Sequence, residues 1–255
     1  MLSVRRCFQR LREFVYCYPA TLRLAGCCIL IFAVQCVAST VTFTRGYSFG
    51  DCIGLCFGLN GQLLLNGFFW QPFTHIFLHA TWWHLAFNVL AMLLLGRVVE
   101  SAVGPRWQAA IFFIGGVAGG LGWLLVNWLW PLIPGLDQLV AWIPAEAKQL
   151  ISEKIGLQIA VRQSFDNAIC VGASGGVFAL ICAFCALFPD TRILAVWIFI
   201  PMRMRAKTLF IALVALSLAD MFLIQSQVAN AAHLVGGISG YLVARRLRRH
   251  YYQPV

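Results

Sequence analysis

From Leu24 to Phe43 the chain passes twenty residues without one charged side chain, and the same holds from Trp107 to Trp130 and from Cys170 to Phe188. Crossing the hydrocarbon of a bilayer takes about 20 predominantly apolar residues in a helix. Three further runs, Thr81 to Val99, Thr208 to Ile224 and Val228 to Ala244, carry at most one Asp, Glu, Lys or Arg each. The pattern predicts an all-α integral membrane protein with six transmembrane helices. Charged residues form 11% of the chain and hydrophobic ones 61%, where a soluble domain carries roughly a quarter charged residues.

The segments between the spans differ in character. Residues 1–21 are basic and weakly amphipathic and read as a cytoplasmic segment on the membrane surface. No short apolar stretch with a cleavage site follows Arg5, Arg6, Arg10 and Arg12, so no removable signal peptide is read. Residues 44–80, with Asn60-Gly61 and Pro72, are too broken for a clean helix and too apolar for an ordinary loop. They read as half-submerged. Residues 131–168 form a polar insert with Asp137, Glu146, Lys148, Glu153, Lys154, Arg162 and Asp166, in which Pro144 to Ile159 reads as an amphipathic helix. Loops of that length are often functional. The eight residues Ile193 to Ile200 are too few to span and read as a membrane-surface strand or hairpin, next to the basic patch Arg203, Arg205 and Lys207. Residues 22–249 thus make one membrane domain, with a short tail at 250–255.

Charge sets the orientation. Fifteen of the nineteen Lys and Arg fall on the two termini and the loops after spans two and four. The positive-inside rule puts that side, and both termini, in the cytoplasm. The net charge of +10 is then a topology signal. It implies membrane lipid as partner and argues against nucleic acid. A multi-pass protein of a bacterial inner (plasma) membrane is the expectation. Of the ten cysteines, Cys27, Cys28, Cys36, Cys182 and Cys185 lie in apolar runs, where thiols act as small hydrophobes. Cys52, Cys56 and Cys170 lie in or near loops and are open to pairing, but no disulfide framework is readable.

Polar groups inside spans are costly and mark function. In Gly172-Ala173-Ser174-Gly175-Gly176 one hydroxyl stands at the start of span four, where a helix N-terminus leaves backbone N–H groups without intrahelical partners. One reading makes Ser174 a nucleophile beside an oxyanion hole; the other makes it an N-cap, with the glycines serving helix packing. In span six, His233 shares a helix face with Gly236, Gly237 and Gly240, a face suited to close approach. Were the neighbour span four, with Gly172 and Gly176 four apart, His233 would reach Ser174. The alternative is a structural histidine bonded across helices. Asn230 lies one turn earlier. His84 and Asn88, four apart on span two, would hold an oxyanion together with the Ser174 N–H. A metal site from His75, His79 and His84 is weakly supported, because no His-Glu-x-x-His and no nearby carboxylate occurs. No metal and no cofactor is expected. Asp220 near the outer end of span five reads as a solvated or capping residue, and Glu100 as a structural salt bridge or cap.

These residues together resemble the rhomboid intramembrane serine proteases, from about residue 65 to 245. The resemblance rests on six spans, Gly-Ala-Ser-Gly opening span four, Ala-His-Leu with two glycines in span six, and His-x-x-x-Asn in span two. Trp70-Gln71-Pro72-Phe73-Thr74-His75-Ile76-Phe77-Leu78-His79 resembles the family's first loop, and Gly96 with Glu100 also fits. It implies a rhomboid-like bundle with both termini inside and a Ser174–His233 dyad that cleaves transmembrane protein substrates in or beside their spans. His84 and Asn88 take the oxyanion role. His79 and Trp70 are supporting positions. Two departures stand out: Gln71 where the family often has Arg, and Phe178 where many members place a Tyr beneath the histidine. The other functions open at this stage are a non-proteolytic rhomboid-like protein that escorts transmembrane clients, and a small transporter, for which no internal repeat is visible.

Overall fold

The computed structural model describes residues 18–43, 48–129, 168–197, 200–223 and 227–251. The basic segment 1–21 lies outside these residues up to position 17, as do the polar insert up to 167 and the last four residues of the tail. The side chain of Asp220 is also outside them.

Helix α1 spans Pro19–Ser39, opened by a proline whose missing N–H costs nothing in the first turn. The broken stretch folds into short pieces: α2 (Phe49–Phe57), α3 (Gly61–Leu65), α4 (Gln71–Thr74) and a 3-10 turn at His75–Phe77. Each start is written in the sequence. Ser48 and Asp51 form a reciprocal capping box on α2, and the Asn60 side chain accepts the Leu63 N–H at the head of α3. Helix α5 (Trp82–Val103) widens into a π-helical turn at Met92–Gly96. It stops at Gly104, whose φ of 83° favours glycine, and Pro105 then opens α6 (Pro105–Leu129). Helix α7 covers Ser174–Leu187. The hairpin β1 (Arg192–Trp197) and β2 (Ile200–Arg205) leads into α8 (Ala206–Leu223), and α9 covers Gln227–Tyr251. The short apolar run after α7 is thus a two-stranded antiparallel hairpin, as expected, and the otherwise helical fold is not purely α.

Among the described residues, α1, α5 and α6 are long and apolar enough to cross a membrane, and α7 and part of α8 are shorter apolar helices. Leu30, Phe87, Leu125 and Ile211 are exposed on their outer faces. This is the reverse of a soluble core and is what lipid as solvent demands. All of the described cysteines are free thiols, Cys52, Cys56 and Cys170 included.

The centre is a triad of helices, α6, α7 and α9, packed almost backbone to backbone. A methyl group at Gly236 would stand 2.5 Å from Gly175 O and 2.9 Å from Gly115 O, and one at Gly119 2.6 Å from Ala232 O. Small residues are the usual means by which membrane helices come this close, since lipid supplies no hydrophobic drive between them. Helix α1 is fastened from outside that triad. Its N-terminal Ala20 and Thr21 N–H groups each donate to the carboxylate of Glu100 on α5 at 2.9 Å, with Glu100 itself 2% exposed. A carboxylate there satisfies two orphan donors and complements the helix dipole. The cap expected of Glu100 is present, on a helix eighty residues away.

Candidate active site

Ser174 is the first residue of α7 and is half-buried. The N-cap position belongs to Ala173, and no side chain caps the helix. Ser174 thus stands at the first helical position and makes no capping hydrogen bond, which overturns the N-cap reading. The preceding segment is held from several sides. Leu59 and Cys170 exchange backbone hydrogen bonds at 2.9 and 2.8 Å, Asn60 Nδ2 donates to Ala168 O at 2.9 Å, and the Gly172 N–H donates to His75 O at 2.9 Å. Gly172 has φ 126°, a conformation side chains rarely adopt, and a methyl there would meet His84 Cε1 at 2.5 Å and Nε2 at 2.7 Å. Only glycine fits this corner. The corner sets Ser174 at the head of the helix, two residues after the glycine that the His84 ring packs against.

His233 reaches the same place from α9. Its imidazole lies flat on the Phe178 ring, with centroids 4.2 Å apart and planes 2° from parallel. Phe178 is one turn after Ser174 on α7, so the stack holds the imidazole alongside the helix that carries the hydroxyl. The expected face of α9 is the one that meets α7. Gly236 faces Gly175, Gly237 would place a methyl 2.9 Å from Cys182 Sγ, and Gly240 abuts the backbone of Ala179. The small residues that α7 offers in return are Gly175 and Ala179. The expected pair, Gly172 and Gly176, plays other parts: Gly172 precedes the helix and shares no helical face, and Gly176 packs against Phe112 of α6. No hydrogen bond joins Ser174 to His233; the aromatic stack positions the ring. Catalytic hydrogen bonds are often long before substrate binds. Asn230 is half-buried in the first turn of α9.

His84 and Asn88 lie on one face of α5. The Thr81 hydroxyl caps that helix by accepting the His84 N–H at 3.1 Å, which fixes the backbone of His84. Asn88 is 6% exposed and its Nδ2 has no partner among the described residues. Thr21, His79, Gln108 and Trp123 also bury unpaired polar atoms, and Asn88 is the one that shares a helix face with His84, which invites a functional reading. His79 packs edge-on against His84, with centroids 5.1 Å apart. It is tied to α1 by a pair of hydrogen bonds, its N–H donating to Gln35 Oε1 at 3.1 Å and its C=O accepting from Gln35 Nε2 at 3.4 Å. His75 is turned away, its Nδ1 on Gln71 O at 3.0 Å and its ring against Gly120. Among the described residues no group of three His, Cys, Asp or Glu could hold a metal ion.

The first loop is anchored by an amide. Gln71 is fully buried, its Oε1 accepting the Asn60 N–H at 3.1 Å and its Nε2 donating to Leu55 O at 2.9 Å. Trp70 is largely exposed and donates from its indole to Cys56 O at 2.8 Å. So the Arg-to-Gln departure keeps the loop fastened. Sequence reasoning missed the bridge from Leu59 to Cys170 and the clasp from Gln35 to His79. Both depend on backbone groups, which carry no residue-type signature. It also missed Ser217 of α8, which is buried and shares a small cavity with Phe178 and His233.

Compared with known proteins, residues 66–250 match the family model described as the rhomboid domain. Over 199 residues the chain is 29% identical to Rhomboid protease AarA of Providencia stuartii, an alignment covering 74% of this chain and 60% of that protein. The chain therefore spans about 60% of the length of that curated relative.

Proposed function

The chain belongs to the rhomboid family, and on that premise we propose that it is an intramembrane serine endopeptidase with Ser174 as nucleophile and His233 as general base. The observation that carries the reading is the flat stack of His233 on Phe178, one helical turn from Ser174, across an interface narrowed to glycine. The similarity to a protein named a rhomboid protease supports it.

His233 takes the Ser174 proton as the hydroxyl oxygen attacks the scissile carbonyl. Charge then develops on the carbonyl oxygen. The Ser174 N–H, His84 and the orphaned Nδ2 of Asn88 are the donors proposed to receive it, a single such donor being worth about 3–4 kcal/mol. The imidazolium protonates the leaving amine, and water, with His233 again as base, releases the acyl group. Neither a metal nor a cofactor takes part. The substrate class is a transmembrane protein cleaved within or next to its span.

The proposed topology has six spans, α1, α5, α6, α7, α8 and α9, with both termini in the cytoplasm and the protein in a bacterial inner membrane. Fifteen of nineteen basic residues then face the cytoplasm. The test is cleavage of a single-span reporter in proteoliposomes by the unaltered chain, Ser174→Ala and His233→Ala. Loss in both variants is expected. Cleavage surviving Ser174→Ala refutes the dyad, whereas a reporter bound but cut by no form of the chain favours a non-proteolytic, client-binding role.

A further inference from the structure

The hairpin between α7 and α8 has no part in the proposed chemistry, yet it is built with a clear division of faces. Its ladder sets Arg192 opposite Arg205 and Leu194 opposite Arg203. Cross-strand partners share a face, and side chains alternate along each strand. These four residues therefore point one way, and the pair Ile193 and Met204 points the other. Burial follows the alternation over these six residues, while Met202, nearer the turn on the Ile193 face, is exposed. Arg192, Leu194, Arg203 and Arg205 are exposed, Leu194 by 63%, whereas Ile193 and Met204 are half-buried and Ile193 packs on the core. A groove of about 500 Å³ runs along these residues.

The local charge is unbalanced. Asp190 lies 2.9 Å from Lys207 Nζ and 3.7 Å from Arg205 Nη1. The hydrogen bond and charge of Lys207, with a smaller contribution from Arg205, hold its carboxyl below the usual carboxylate range. Arg192 and Arg203 have no acidic partner among the described residues. The position matters as much as the charge. Apolar α7 ends at Leu187 and apolar α8 begins at Ala206, so the hairpin sits where the chain leaves the hydrocarbon.

We propose that this face of the hairpin binds the phosphate headgroup of an anionic phospholipid, with Leu194 against the adjoining glycerol and acyl chain. Guanidinium groups match phosphate oxygens with paired donors. The antiparallel ladder fixes their spacing, which a flexible basic loop would not. An exposed leucine among three arginines suits a ligand with a charged head and an apolar body, and is wasted on free phosphate.

The experiment is native mass spectrometry of the full chain in detergent, titrated with phosphatidylglycerol or phosphatidylcholine. The unaltered chain should retain phosphatidylglycerol in preference, and more weakly as ionic strength rises. Arg192→Gln/Arg203→Gln/Arg205→Gln should lose on the order of 100-fold in that affinity. Asp190→Asn frees Arg205 and Lys207 and should strengthen retention, an outcome that damage to the fold would not produce. Unchanged retention in the triple variant overturns the proposal, as does weaker retention in Asp190→Asn. Displacement by glycerol phosphate as effective as by the lipid would reassign the face to a soluble phosphoester.

Discussion

At the scale of single residues, the site is unusual for what is left unpaired. Asn88 buries an amide nitrogen with no partner among the described residues, which lowers stability unless the group has another use. If it receives the oxyanion, Asn88→Ala should cut kcat by about 10²–10³-fold with little change in KM. The same substitution should leave the melting temperature in detergent unchanged or raised, since it removes an unsatisfied donor. A fall in melting temperature with cleavage intact would return Asn88 to a structural part. Phe178 stands where the family resemblance leads to the expectation of a tyrosine. Its ring holds the imidazole plane, and it has no hydroxyl. Aromatic pairs contribute about 0.5–1.5 kcal/mol beyond burial. Phe178→Ala should therefore slow cleavage roughly tenfold, and Phe178→Tyr should stay within a few-fold of the unaltered chain. Equal losses in both would mean that volume in the cavity shared with Ser217, and not the stack, sets the rate.

At the scale of helices, function depends on how near α9 comes to α7 and α6. Gly236 is a stringent test, because its methyl would meet two carbonyl oxygens that belong to backbone and cannot rotate away. Overpacking of this kind costs about 1–3 kcal/mol, and here it would also push His233 off Phe178. Gly236→Ala should lose most cleavage. Gly26→Ala, with nothing within 4 Å of the added carbon, should keep it, which a proteoliposome assay with both variants checks. This interface was legible in the sequence because His233, Gly236, Gly237 and Gly240 fall on one face by spacing alone. Its partner was read three residues out of place, as Gly172 and Gly176 where α7 offers Gly175 and Ala179. Gly172 and Gly176 look like a helical pair only if span four begins at Cys170, and α7 begins at Ser174. The hairpin was legible too, from an apolar run too short to span. The capping role of Glu100 was legible but not the helix it caps, since its carboxylate serves backbone N–H groups distant in sequence. Nor was Gln71 as the anchor of the first loop, because an amide in an apolar stretch names no partner.

At the scale of the whole molecule, the length of α7 bears on where cleavage happens. Fourteen helical residues reach about 21 Å, against roughly 30 Å of hydrocarbon. The far end of α7 is followed by Asp190, Arg192 and the basic hairpin, groups that belong at the water interface and, in the proposed orientation, peg that end to the cytoplasmic boundary. Ser174 then lies roughly 10 Å beneath the outer surface. It is reached through the tethered segment of residues 168–173, not through a full helical turn. A peptide bond brought to that depth must come from within a span, or from a span whose outer turns have unwound. Moving a small-residue site stepwise along a single-span reporter should therefore give maximal cleavage in the outer third of the span. Cleavage should fall as the site moves into the aqueous stretch beyond it. A maximum in that aqueous stretch would mean that substrate bends down to a surface-open serine. The short α7 would then be a matter of packing and would say nothing about the depth of the chemistry.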